Sequence, residues 1–233
     1  MKNARATPAK RRSRNRVRQS DAETRDRLLE AARVLFSEHG FPKVSVRDIC
    51  SEAQANVAAV SYHFGDKLGL YEEVIRGGIE MMSAFNAAMI DAGPTASAEE
   101  RLRHYVSNYL PRIVKPAGEA EWVRKLMRHE AHEPTPAAHF IFEEAVLPRI
   151  RFLSGVMAEL LGCDEKDPRV GRCVVSVQSQ CLFYLPDAFR TAVVPEWPPQ
   201  STETIAAAVD HIVEFSLAGI RAIANTKSDV PMM

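Results

Sequence analysis

The feature that most restricts the fold is a pair of helix starts eleven residues apart. Ser45 with Asp48 has the S-x-x-D form of a capping box, and Asn56 is a good N-cap in its own right. The first start opens a helix from Val46 to about Ala53, with Val46, Ile49, Cys50 and Ala53 at inward spacing. The second opens a helix from Val57 to about Phe64, with Val60 and Phe64 four apart, closed by Gly65 and Asp66. Only Gln54, Ala55 and Asn56 remain for the turn between them. Two short helices held at a steep angle by so tight a turn make a helix-turn-helix, whose second helix is short and exposed enough to enter a major groove. A plain three-helix packing unit is the alternative that this geometry leaves open.

Helical signals run through the rest of the chain, so the expected fold class is all-α. Ser20 with Glu23 reads as a capping box ahead of Leu28, Ala31, Ala32, Leu35 and Phe36, and Gly40 ends that segment, giving a first helix from about Asp21 to His39. Later helices are expected over Leu68 to about Ile90, Ser97 to about Val114, and Glu119 to Glu133. Three more follow: Pro136 to Leu161 with a kink at Pro148, Pro168 to about Val194, and Thr202 to Asn225. The expected division is a disordered basic arm over 1–19, a helix-turn-helix DNA-binding domain over 20–67, and a helical effector-binding and dimerisation domain over 68–233.

Net charge is zero, but its distribution is uneven. Residues 1–20 hold eight Lys or Arg and no acid. Through Lys67 there are fourteen basic against eight acidic residues, a net of +6, and residues 68–233 carry sixteen against twenty-two, a net of −6. The N-terminal part is therefore the one that attracts a polyanion. A basic arm can lie along phosphates or enter a minor groove once its domain has docked. At 46% hydrophobic and 26% charged residues the chain reads as globular. It has no apolar run of about 18 residues and no signal-peptide pattern, so a cytoplasmic location and no membrane partner are expected.

From Glu23 to Tyr71 the segments TRDRLLEAARVLFSEHGF, VSVRDICSEA and YHFGDKLGLY resemble, in order and spacing, the DNA-binding domain of the TetR family of bacterial regulators. Two positions depart from the family's pattern: Gln54 stands where Gly is usual in the turn, and Ser61 where a Tyr is common in the recognition helix. The resemblance implies double-stranded DNA as a partner. Ser45 would cap its helix while offering its hydroxyl and N–H to a phosphate, and Arg47 would reach the backbone or a base edge. Tyr62, His63 and Lys67 would add phosphate contacts, with a capping or packed imidazole as the other role for His63 and simple packing for Tyr62. Sequence reading falls to Asn56, Val57, Ala58, Ala59 and Ser61, a set suited to thymine methyl groups and DNA shape rather than to bidentate pairing with guanine.

Further on, RHEAHEPTPAAHF, LPRI and LLG resemble the ligand domain of a TetR subgroup that includes regulators of sensitivity to cephalosporins and chloramphenicol. That implies a small-molecule effector, unidentified, among these helices. Trp122, Leu126, His129, Phe140, Glu144, Phe152 and Phe183 recur at helical spacing and are the candidate lining residues, with ordinary core packing as the alternative. Ile205, Val209, Ile212, Leu217, Ile220 and Ile223 form an apolar stripe, and Ala206, Ala207, Ala208, Ser216 and Gly219 are small enough for close helix approach. With the apolar segment Val174 to Phe189 this reads as a four-helix homodimer surface, unless the stripe is covered within one chain. A twofold dimer implies a palindromic operator.

Other chemistries fit less well. In HEAHE, His129 and His132 are three apart rather than four, and Pro134 follows, so no metal is expected. Cys50, Cys163, Cys173 and Cys181 show no C-x-x-C pair and read as reduced, packed thiols. No phosphate loop, dinucleotide fingerprint or nucleophile elbow occurs, and no cofactor is expected. The function expected is a ligand-responsive regulator: a homodimeric repressor released from DNA by a small molecule. The alternative is an all-helical enzyme or small-molecule carrier with an incidental helix-turn-helix.

Overall fold

The computed structural model describes residues 8–115, 118, 121–186, 188–194, 197–199 and 201–226, and every regular element among them is helical. In chain order these are α1 (Pro8–His39), α2 (Val46–Glu52), α3 (Val57–Phe64), α4 (Lys67–Ile90), α5 (Ala98–Val114) and α6 (Glu121–His132). Then come α7 (Ala138–Phe140), a π-helical stretch (Ile141–Val146), α8 (Leu147–Leu161), α9 (Pro168–Leu182), α10 (Ala188–Val193) and α11 (Thr202–Ala224).

The local signals account for most boundaries. Both halves of the capping box form at Ser45–Asp48 and again at Ser97–Glu100, and Asn56 caps α3 by accepting from the Ala58 N–H at 2.9 Å. Three boundaries differ from expectation. α1 begins at Pro8, so Ser20 is interior and its carbonyl accepts from Thr24 Oγ1 at 2.8 Å instead of serving a cap. Over 8–19 the backbone is thus helical where a disordered arm was expected, because Lys, Arg and Gln propagate a helix and Pro8 is tolerated in its first turn. Residues 1–7 of that arm lie outside the described residues. In place of the kink expected at Pro148, the chain widens upstream into the π-helical stretch and restarts at Leu147, which leaves Pro148 in a first turn where its missing N–H costs nothing. α9 stops at Leu182 rather than near Val194, because Pro186 disfavours helix at the residue before it.

By internal contact the chain forms two compact units, Met1–Gly78 with Glu119–Ala138, and Ile79–Gly118 with His139–Met233. The expected boundary at 67/68 therefore shifts, and α6 joins the helix-turn-helix rather than the downstream helices. In the first unit α6 lies along α1, with Leu28, Phe36, Ile49, Leu70, Tyr71 and Leu126 fully buried. In the second, α5, α8, α9 and α11 pack together around Leu102, Tyr105, Leu110, Leu153, Met157 and Val213.

That packing corrects the expected dimer stripe. Ile205, Val209, Ile212, Ser216, Leu217 and Ile220 are at most 7% exposed inside their own unit, whereas Gly219 and Ile223 reach the surface. Each fully buried aliphatic side chain contributes about 1.5–3 kcal/mol, so the stripe is committed to the fold of one chain.

Candidate nucleic-acid interface

The first unit sets α2 and α3 on a rigid base. Phe36 and Phe41 meet Tyr71 at ring distances of 4.9 and 4.8 Å. Arg25 reaches from α1 to both neighbours, its guanidinium 5.2 Å over the Phe64 ring and bonded to Glu73 at 2.6 Å. Gly40, at φ 79°, lets the chain turn into α2, and His129 of α6 packs against it so closely that a Cβ there would lie 3.0 Å from Nδ1.

On this base the helical period separates two faces of α3. Val60 is buried, whereas Val57, Ala58, Ser61 and Tyr62 are exposed along one side, Tyr62 at 75%. Ser45, Arg47 and Asn56 are also exposed; Ala59, His63 and Lys67 are half-buried. All ten sequence-proposed DNA contacts thus lie on α2, α3, their caps or the start of α4, none of them in the core. Lys43, exposed in the turn two residues before Ser45, adds a cation that the motif reading passed over.

Several of these groups are already engaged. The Ser45 N–H and hydroxyl both donate to Asp48 Oδ2, at 2.9 and 2.7 Å, which holds the Asp48 carboxyl below its ordinary range. The protons assigned to a phosphate are therefore spent on the cap. Asn56 Oδ1 is likewise spent on Ala58, leaving only its amide N–H groups for a base. Lys67 Nζ sits 4.2 Å over the Phe41 ring, and burial pushes its pKa down. Arg47 and Tyr62 remain the extended, exposed donors. Gln54 adopts φ 50° in the turn, a left-handed conformation that costs a residue with a Cβ about 1 kcal/mol.

The seven candidate ligand residues are divided between the two units. Trp122, Leu126 and His129 belong to the first unit, where Leu126 is core and Trp122 lies 5.3 Å beneath the Arg33 guanidinium. Phe140, Glu144, Phe152 and Phe183 belong to the second, where Glu144 and Phe183 are exposed. A groove of about 290 Å³ between α5 and α11, lined by Ser107, Pro111, Lys115, Val209 and Asp210, includes none of them. Phe152 does face other chemistry: it stacks on Tyr105 at 6.1 Å, Tyr105 lies 5.4 Å from Tyr109, and the Arg149 guanidinium stands 5.1 Å over Tyr109. The signal for this cluster is i, i+4 on α5 (Tyr105, Tyr109) facing i, i+3 on α8 (Arg149, Phe152). Nearby, burial pushes the Cys181 thiol up to about 12, which disfavours the reactive thiolate.

Residues 28–74 match the profile of the bacterial regulatory proteins of the tetR family, and residues 98–220 match the C-terminal domain of the HTH-type transcriptional dual regulator CecR. The chain is 36% identical over 87 residues to the HTH-type transcriptional regulator YttP of Bacillus subtilis (strain 168), a stretch that spans 37% of this chain and 42% of that protein. It is 26% identical over 156 residues to CecR of Shigella flexneri, covering 64% of this chain and 69% of that one. Among solved structures, a transcriptional regulator from Pseudomonas aeruginosa PAO1 superposes with a TM-score of 0.60 at 21% identity, over 85% of this chain and 90% of that chain. At these identities the superposition speaks to the fold.

Proposed function

The chain belongs to the TetR family of bacterial transcriptional regulators, and from that premise we propose that it acts in the cytoplasm as a homodimeric repressor that binds a palindromic operator and releases it on binding a small molecule. The observation that carries the DNA half is the single exposed face of α3, where Val57, Ala58, Ser61 and Tyr62 are turned outward above a buried Val60. Small apolar side chains there suit thymine methyl groups, and Arg47 and Tyr62 suit phosphates. The family match, rather than any missing catalytic group, favours a regulator over an enzyme or carrier.

The dimer reading moves to the outward side of α9 and α11. Val175, Leu182 and Phe215 are 63%, 42% and 64% exposed there, among Gly171, Ser179, Ala207, Ala218 and Ala222, so two copies can bring these helices close together. The repressor and effector parts are supported by relatives. KstR2 of Mycobacterium tuberculosis, 33% identical over 79 residues, is a transcriptional repressor. AibR, a structural neighbour at TM-score 0.56, was solved with isovaleryl coenzyme A and operator DNA. Release requires the effector to prefer the DNA-incompetent state, since equal affinity for both states shifts nothing.

The test is selection of duplexes from a random library at physiological salt, where non-specific phosphate binding is weak. A palindrome should be recovered, and Tyr62→Ala should bind it about tenfold more weakly, a loss of ~1.4 kcal/mol, with an unchanged unfolding midpoint. A pool that stays random would refute the operator reading.

A further inference from the structure

Arg149 is a cation without an anion. Four other arginines of its unit find carboxylates: Arg101 pairs with Glu159, Arg103 with Asp210 and Glu214, Arg169 with Asp167, and Arg221 with Glu99. Among the described residues none pairs with Arg149, and its Nε is buried with no hydrogen-bond partner. The Tyr109 ring lies 5.1 Å from the guanidinium, and the Tyr109 hydroxyl interacts with it. Arg149 as a whole is half-buried, but a guanidinium stays charged at any physiological pH, and a folded chain seldom leaves a buried donor such as this Nε unspent.

The surroundings also hold donors in reserve. Tyr105, fully buried, accepts from Gln178 Nε2 at 2.6 Å, so its own hydroxyl proton is still available. Burial pushes the Tyr105 and Tyr109 phenols up, which keeps both as neutral donors. Phe152, stacked on Tyr105, supplies an apolar flank. The π-helical stretch Ile141–Val146 runs directly into α8, two residues before Arg149, and such stretches recur at functional sites.

We propose that Arg149, with the Tyr105 and Tyr109 hydroxyls, receives the carboxylate of an apolar effector. The assignment rests on the reading of this protein as an effector-responsive regulator and specifies its ligand class. A planar guanidinium takes a carboxylate through two parallel hydrogen bonds. One guanidinium balances one negative charge, so a monoanion fits; a phosphate dianion would carry an uncompensated charge into the core. The aromatic flanks select an apolar body behind the carboxylate.

The experiment uses the full chain and matched probe pairs: octanoate with octanamide, dodecanoate with dodecanamide, and phenylacetate with phenylacetamide. Binding is followed by calorimetry and thermal shift for wild type, Arg149→Met and Arg149→Lys, and operator release is measured in parallel. At least one carboxylate should bind wild type about tenfold or more tightly than its amide. Arg149→Met should lose that preference yet keep an apo melting temperature at or above wild type, because a half-buried guanidinium with no carboxylate partner has gone; Arg149→Lys should keep part of the preference. Equal binding within every pair, no binding by any probe, a preference that survives Arg149→Met, or a lowered apo melting temperature in that variant would each overturn the proposal. An Arg149-dependent preference without operator release would keep the anion site and refute the effector reading. Release by neutral molecules, equal in wild type and Arg149→Met, would keep the effector reading and refute the anion site.

Discussion

Glu130, buried in the first unit, and Arg149, half-buried in the second with its Nε enclosed, are treated in opposite ways. Glu130, 6% exposed, accepts from the Tyr71 hydroxyl at 2.5 Å and from the Thr135 hydroxyl and N–H at 2.8 and 3.1 Å. Burial, with the carboxyl beside it, pushes the Tyr71 phenol up and keeps it a donor. This network is closed, and it ties α4 to α6 within the DNA-binding unit. Arg149 keeps a buried Nε with no hydrogen-bond partner. A closed polar core holds one shape, which suits a surface that must match rigid DNA; an open one has chemistry left for a ligand.

The contrast can be broken at several points. The largest effect is expected from Glu130→Ala, which strands the Tyr71 and Thr135 donors and opens a cavity. Urea unfolding should show a loss of about 3 kcal/mol, against no loss for Arg149→Met. Equal losses would mean that both groups are structural. Next comes Phe215→Glu, on the apolar side of α11 opposite the buried stripe. It should weaken homodimer association by about 100-fold or more in sedimentation, since a buried unpaired carboxylate is costly, and leave each unit folded. A dimer that survives would move the interface elsewhere.

Smaller effects sharpen the account of each unit. Gln54→Gly should raise stability by about 1 kcal/mol, because only a residue without Cβ adopts the turn's positive φ freely. An unchanged midpoint would show that the turn carries no strain. The last prediction concerns Asp167, the cap of α9, whose pKa is lowered to about 2 by its hydrogen bonds to Arg169. A lowered native pKa contributes stability above the unfolded value near 4, and that contribution is lost as pH falls through about 2. Asp167→Asn should therefore flatten the acid limb of the melting-temperature profile between about pH 4 and 2.

The helix-turn-helix was legible because its determinants are local. A capping box spans four residues, the tight turn spans three, and the amphipathic period of α3 repeats every three to four, so Ser45, Asp48, Asn56 and Val60 could be assigned without knowing what surrounds them. The face of α3 that offers itself to DNA follows from the same period. What tertiary structure decided is what each apolar or polar surface meets. Ile205, Val209 and Ile212 carry the same pattern whether a partner chain or α5, α8 and α9 cover them, and packing chose the latter. Trp122, Leu126 and His129 sit on a helix whose spacing is silent about its neighbours, and packing set it against α1. Arg149 looked like any other arginine until its enclosed, unpartnered Nε became visible, because an unmet donor is a property of three-dimensional surroundings and leaves no periodic trace along the chain.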